Sequence, residues 1–172
     1  MRNLAFALLV LGTGCASTAT ERLGLPPLRT VETIELNRYM GKWYEIASFP
    51  TSFQEGCSHT TADYAMRSDG DVDVLNRCIK EGEEDASDGR VRVEDPKEPG
   101  KLEVSFFRPF WGEYWILAVG PEYRWAVVGH PSRDYLWILS RAPQMLPELY
   151  AAILEQLTKQ GYEVSRLRKT EQ

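Results

Sequence analysis

Gly41-Lys42-Trp43-Tyr44-Glu45-Ile46-Ala47 is the stretch on which the fold turns. Alternation along an extended chain places Trp43, Glu45 and Ala47 on one face and Tyr44 and Ile46 on the other. This predicts the first long strand of an antiparallel barrel, entered by a short helical turn. Gly41 lets the backbone bend sharply just before Trp43, so the indole can lie flat across one end of the barrel. A ring used as a floor calls for a cation over its face. Guanidinium is suited to this, because it stacks on indole and donates to nearby carbonyls. Arg141, at the end of Asp134-Tyr135-Leu136-Trp137-Ile138-Leu139-Ser140-Arg141, is the candidate.

Gly41-x-Trp43 on the first strand, the Asp134-Tyr135 turn near the last hairpin and Arg141 closing that strand resemble the three signatures of the lipocalins. They stand in order and at barrel spacing. The stretches GKWYEIA and HPSRDYLWILSR are similar to the bacterial outer-membrane and apolipoprotein D-like members. The resemblance runs from about Ile34 to Leu167. It implies an all-β fold, an eight-stranded antiparallel up-and-down β-barrel with one C-terminal α-helix packed on it. Gly41, Trp43 and Arg141 would form the floor. It also implies binding and carriage or storage of lipids such as fatty acids or lysophospholipids, in envelope maintenance under stress, with no cofactor and no catalysis.

The 172 residues suit one domain, and a 43% hydrophobic content supplies one sizeable core. The net charge of −5 argues against nucleic acid and against a polybasic membrane patch. Met1-Arg2-Asn3 followed by the apolar run Leu4 to Leu11 reads as a signal-peptide core, too short to span a bilayer. Gly12-Thr13-Gly14-Cys15 resembles a bacterial lipobox, although Gly12 stands where leucine is commonest. By that resemblance Cys15 is lipidated and the leader is cut before it. Several acyl chains then anchor the chain stably. Ala16, in place of aspartate, points to an outer-membrane, periplasm-facing location in a Gram-negative envelope. Ordinary secretion with Cys15 incidental is the alternative. The expected division is a leader at 1–14, a lipidated tether at 15–30 and the lipocalin domain at 31–172. The tether bears Ser, Thr and Pro and is aperiodic.

Along the domain, strands are expected at Lys42–Phe49, His59–Arg67, Val72–Ile79, Arg90–Glu94, Leu102–Phe106, Glu113–Gly120, Tyr123–His130 and Tyr135–Arg141. Asp69-Gly70 supplies the positive φ of a hairpin turn. Glu81 to Asp88 is acidic and is expected as a solvated loop. Eight strands leave room for one small ligand. Leu146, Tyr150, Ile153 and Leu157 form one stripe of a helix over Leu146 to Gln160, and Tyr162, Val164 and Leu167 form a short closing strand. Cys57 and Cys78 can pair only with each other within the domain. A two-residue turn at Asp69-Gly70 would set Cys57 opposite Gly82, so a bridge requires a bulge or a later strand start. An oxidising compartment favours the disulfide over a reactive thiol.

Parity from Trp43 and Arg141 gives the residues expected to line a ligand cavity: Ala47, Phe49, Tyr64, Val104, Phe106, Tyr114, Ile116, Tyr135 and Trp137. Such a lining is apolar and aromatic and suits an acyl chain. Glu45 shares the inward face, either wet or held by a partner. Phe106-Phe107-Arg108-Pro109-Phe110-Trp111-Gly112 is expected as a mouth loop beside that of Phe53, with Phe53, Phe110 and Trp111 gating entry, touching lipid or folding down over the cavity. An exposed mouth also leaves room for a homodimer. Two other functions compete with carriage. An isomerase or de-epoxidase on the same barrel would need a catalytic set that the sequence does not display. A haem carrier would need His59 or His130 as ligand, and no Cys/His spacing marks a metal site.

Overall fold

A computed structural model describes residues 24–172. The leader, Cys15 and most of the tether lie outside the described residues. A short helix α1 (Leu36–Tyr39) leads into β1 (Gly41–Ser48). Then follow β2 (Cys57–Met66), β3 (Val72–Lys80), β4 (Glu83–Val93), β5 (Lys101–Phe107), β6 (Phe110–Val119), β7 (Trp125–Gly129) and β8 (Leu136–Ser140). Helix α2 (Pro147–Lys159) and a two-residue strand β9 (Arg168–Lys169) end the fold. From β1 to β8 each strand pairs with its neighbour in sequence, and β1 pairs with both β8 and β2, so the eight-stranded sheet closes into a barrel. Closure removes the exposed edges that an open sheet would present.

The wall separates two apolar clusters. Inside lie Trp43, Tyr64, Val72, Val74, Val91, Leu102, Ile116, Ala126, Val128 and Leu139, closed below by Tyr39. Outside, between wall and helix, lie Ile46, Ala47, Phe49, Leu117, Val127, Leu136 and Ile138 with Ile153, Leu157 and Tyr162. Helix α2 begins with Pro147, whose fixed φ and missing N–H suit a first helical position.

Four expectations change. Glu81 to Asp88 is mostly strand: β4 begins at Glu83 and pairs with β3 from Lys80↔Glu83 to Val72↔Val91. The β5 partnership starts only at Arg90↔Ser105, so the first half of β4 is a two-stranded ribbon with water on both faces. Nothing apolar is required there, and alternation gives no signal. The aromatic stretch 106–112 is not a long loop but the tip of the β5–β6 hairpin, with Phe107 paired to Phe110 across Arg108-Pro109. The lead-in, expected as one turn of 3₁₀ helix before Gly41, is an α-helical turn. The closing segment is a 3₁₀ turn (Val164–Arg166) before β9 rather than a strand over Tyr162 to Leu167.

Strand β1 meets β2 only from Gly41 to Tyr44. Beyond that point the C-terminal residues fill the gap between them. Ala47 pairs with Lys169, Thr170 N donates to Ile46 O at 3.0 Å, and His59 N donates to Glu171 O at 2.6 Å. Gln172 Nε2 donates to Glu45 O on one side (2.6 Å) and to Thr60 O on the other (2.9 Å). On β2 the register shifts between Ser58 and Thr61, with His59 at φ 52°. This bulge brings Cys57 and Cys78 together as a disulfide with Cα atoms 5.5 Å apart, although Cys57 formally faces Lys80.

Candidate ligand site

The floor is built by three elements at once. Gly41 takes φ +90° as β1 leaves α1, a conformation that strains any side chain. Trp43 follows, fully buried, its Nε1 donating to Tyr39 O at 2.8 Å. The Arg141 guanidinium lies 3.8 Å from the Trp43 ring centre. Its N–H groups reach Lys42 O and Met40 O at 2.8 Å each, Arg38 O at 2.8 Å, Tyr39 O at 3.1 Å and Tyr123 O at 3.3 Å. One planar fork thus answers carbonyls at the end of α1, the start of β1 and the β6–β7 connection.

Above the floor stand three tyrosines. Tyr39 Oη lies 2.9 Å and Tyr64 Oη 2.8 Å from Tyr114 Oη. Burial pushes the phenols of Tyr39 and Tyr114 well above their ordinary value and that of Tyr64 up to about 12, so all three are neutral at physiological pH. Around them the lining is apolar. Ala62, Val104, Tyr114 and Trp137 pack against the inner cluster and are half-buried.

Nearer the mouth a polar seam crosses the interior. Glu45 is buried, and its carboxylate accepts from Ser48 Oγ (2.9 Å), Thr170 Oγ1 (2.5 Å) and Gln54 Nε2 (2.7 Å). Gln54 Oε1 in turn accepts from Trp137 Nε1 at 3.0 Å. Tyr135 stacks on Trp137 with ring centres 6.0 Å apart and meets His130 edge-on. His130 Nδ1 accepts from Ser132 N, and burial lowers its pKa.

Of the residues expected to line the cavity, the structure gathers Tyr64, Val104, Tyr114, Ile116 and Trp137 at the inner cluster. Tyr135 is more exposed, at the rim. Ala47 and Phe49 are on the other side of the wall, beneath α2. The β1–β8 register shifts between Glu45 and Ala47, and that bulge reverses the face of everything after it. Ala118 is carried outside by a similar shift on β6. Phe106 is 44% exposed and covers Gly89, whose absent Cβ would sit 2.7 Å from the Phe106 ring. It is a rim residue rather than a lining one. Phe110 is exposed, as are Phe107 and Phe53. Trp111 is not in a loop: it lies on β6, half-buried, 4.1 Å below the Arg92 guanidinium. Neither His59 nor His130 belongs to the inner cluster. Tyr39 and Gln54 were missed. Tyr39, one helical turn before Trp43, carried a usable signal; Gln54 carried none.

A recess of about 770 Å³ spans β2 to β5, lined by Tyr64 and Val74 of the inner cluster, Phe106 of the rim, and Asp63, Arg67, Arg90 and Arg108. No residue of β1, β6, β7 or β8 lines it, so it opens on one side of the barrel only.

A closed eight-stranded barrel with a tryptophan floor capped by arginine and an outer C-terminal helix defines a lipocalin-type barrel. The lipocalin-like domain family matches residues 34–172, and the chain belongs to the lipocalins. Temperature-induced lipocalin-1 of Arabidopsis thaliana is 41% identical over 154 residues, covering 84% of this chain and 83% of that protein. The outer membrane lipoprotein Blc of Vibrio cholerae is 38% identical over 157 residues, covering 89% and 92%. Insecticyanin of the tobacco hornworm Manduca sexta superposes with a TM-score of 0.70 at 20% identity, covering 86% of each chain, a likeness of fold alone.

Proposed function

We propose that the protein is a carrier or store of small hydrophobic ligands, fatty acids or lysophospholipids among them, held inside the barrel. The observation that carries this reading is the interior itself. Its floor is sealed by Trp43 and Arg141, while Ala62, Val104, Tyr114 and Trp137, packed against the inner cluster, are only partly buried. An apolar, aromatic, partly open interior with few polar groups takes elongated apolar molecules. The lining residues of this reading are Tyr64, Val104, Tyr114, Ile116 and Trp137, and Phe53, Phe107 and Phe110 stand at the entrance.

Lipidation at Cys15 and attachment to an outer membrane, facing the periplasm, complete the proposal. A similar protein named an outer membrane lipoprotein supports it, as does the leader pattern. In this setting the protein would receive lipids released from the adjacent bilayer. The deciding experiment is native mass spectrometry of the gently purified protein, followed by lipid extraction. A bound fatty acid or lysolipid, lost when Trp137 is replaced by a charged residue, is the expected result. An empty barrel that also refuses a fluorescent fatty acid would refute carriage and raise an enzymatic reading.

A further inference from the structure

Three phenols carry three O–H protons. The cluster has two oxygen contacts, Tyr39 to Tyr114 and Tyr64 to Tyr114, and each takes one proton. Whichever way the bonds run, one proton points out of the cluster. These hydroxyls have no other hydrogen-bond partner among the described residues.

Burial decides which hydroxyl carries the spare proton. Tyr39 and Tyr64 are 2% and 7% exposed, whereas Tyr114 is half-buried and faces the interior. A spare proton on Tyr39 or Tyr64 would be sealed away without an acceptor, at the full desolvation cost. The favoured arrangement has Tyr39 and Tyr64 both donating to Tyr114, which fills its two lone pairs. The Tyr114 proton is then the one left for a ligand, and the two donors behind it strengthen it as a donor.

We propose that Tyr114 is a specificity-determining donor that selects ligands bringing a neutral acyl carbonyl, such as an ester, down to the floor. The inference rests on the carrier reading. A neutral acceptor is favoured because Arg141, the cation whose charge is felt at Tyr39, is already engaged below the cluster. Val91, Leu102 and Ile116 surround the site, and the Arg141 guanidinium lies against Trp43 with its N–H groups spent on backbone carbonyls. A carboxylate is better left at the wet mouth.

The test uses the whole protein loaded with N-phenylnaphthylamine, a neutral fluorophore, and displaced either by a fatty-acid methyl ester or by an alkane of equal length. The ratio of ester to alkane affinity should fall about tenfold in Tyr114→Phe, through weaker ester binding alone. Tyr64→Phe should keep most of the ratio, because Tyr114 still donates. In the unaltered protein, the infrared carbonyl stretch of the bound ester should lie below its frequency in alkane solvent and should return in Tyr114→Phe. An unchanged ratio in Tyr114→Phe overturns the inference, as does an unshifted stretch in the unaltered protein, which needs no variant. Failure of the unaltered protein to bind fluorophore, ester and alkane alike would overturn the carrier reading itself. Binding of all three with no Tyr114 dependence would overturn only this inference.

Discussion

Arg141 is the residue on which most separate pieces converge. Its plane covers the Trp43 ring, and its N–H groups satisfy carbonyls of Arg38, Met40, Lys42 and Tyr123. Arg141→Ala removes the stacking and strands several part-buried acceptors together. The expected loss is roughly 2–4 kcal/mol, read as a lower urea midpoint. Arg141→Lys should recover less than half, since an ammonium cannot match a planar fork. The tyrosine cluster makes a second prediction at this scale. Its phenols have folded-state values raised by burial, Tyr64 to about 12. The unfolded chain therefore loses those protons first as pH rises. Their contribution to stability is intact below about pH 10 and is lost as pH climbs from there toward the folded-state values. Ultraviolet titration should show Tyr39, Tyr64 and Tyr114 ionising only as the protein unfolds. Free ionisation of all the tyrosines near the ordinary phenol value in folded protein would contradict the burial.

At the scale of the element, β1 shows what sequence can and cannot deliver. Trp43 and Arg141 were legible because their partnership depends on residue type and a strong local glycine signal. Leu102, Val104, Tyr114 and Ile116 were legible because plain alternation survives along those stretches. Ala47 and Phe49 were misplaced because a bulge has no compositional mark, yet it turns every later side chain over. The β4 ribbon was hidden for the opposite reason: its pairing is backbone alone, and its side chains face water. The tail at 168–172 was illegible because its contacts run to β1 and β2, more than a hundred residues away. The corrected position of Phe49 can be tested. It is 1% exposed and packs edge-on against Tyr162 below α2. Phe49→Ala should cost about 3–5 kcal/mol, while ligand stoichiometry at low denaturant stays unchanged. A lost ligand with little lost stability would return Phe49 to the cavity. The disulfide is the other element-scale brace. It ties the bulged start of β2 to β3 across a separation of 21 residues. Replacing both Cys57 and Cys78 by alanine should cost roughly 2–4 kcal/mol in thermal or urea unfolding, with the barrel still formed.

At the scale of the whole molecule, the alternating strand directions put the β1–β2 and β5–β6 connections at one end, opposite the Trp43 floor. That end is the apolar one. Phe53, Phe107 and Phe110 are 64%, 76% and 70% exposed, and the last two stack with ring centres 6.4 Å apart. Exposed aromatic rings on a hairpin tip are costly in water and need a partner surface. The chain's net charge of −5 offers no attraction to an anionic bilayer, so contact with lipid would be driven by apolar burial rather than by counter-charge. This separates two steps that a binding isotherm merges. On the proposed carrier function, holding a ligand would depend on the interior, whereas collecting it from a membrane would depend on the tip. Replacing Phe107 and Phe110 together by serine should therefore slow uptake of a fluorescent fatty acid from zwitterionic vesicles severalfold. Affinity for the same fatty acid in free solution should stay unchanged, and so should the urea midpoint, since neither ring belongs to either core cluster. Uptake by the unaltered protein should depend little on salt, as apolar contact does. Equal uptake rates for both proteins would reduce the aromatic tip to an incidental feature, and a steep salt dependence would shift attention to Arg67, Arg90 and Arg108 of the recess over β2 to β5.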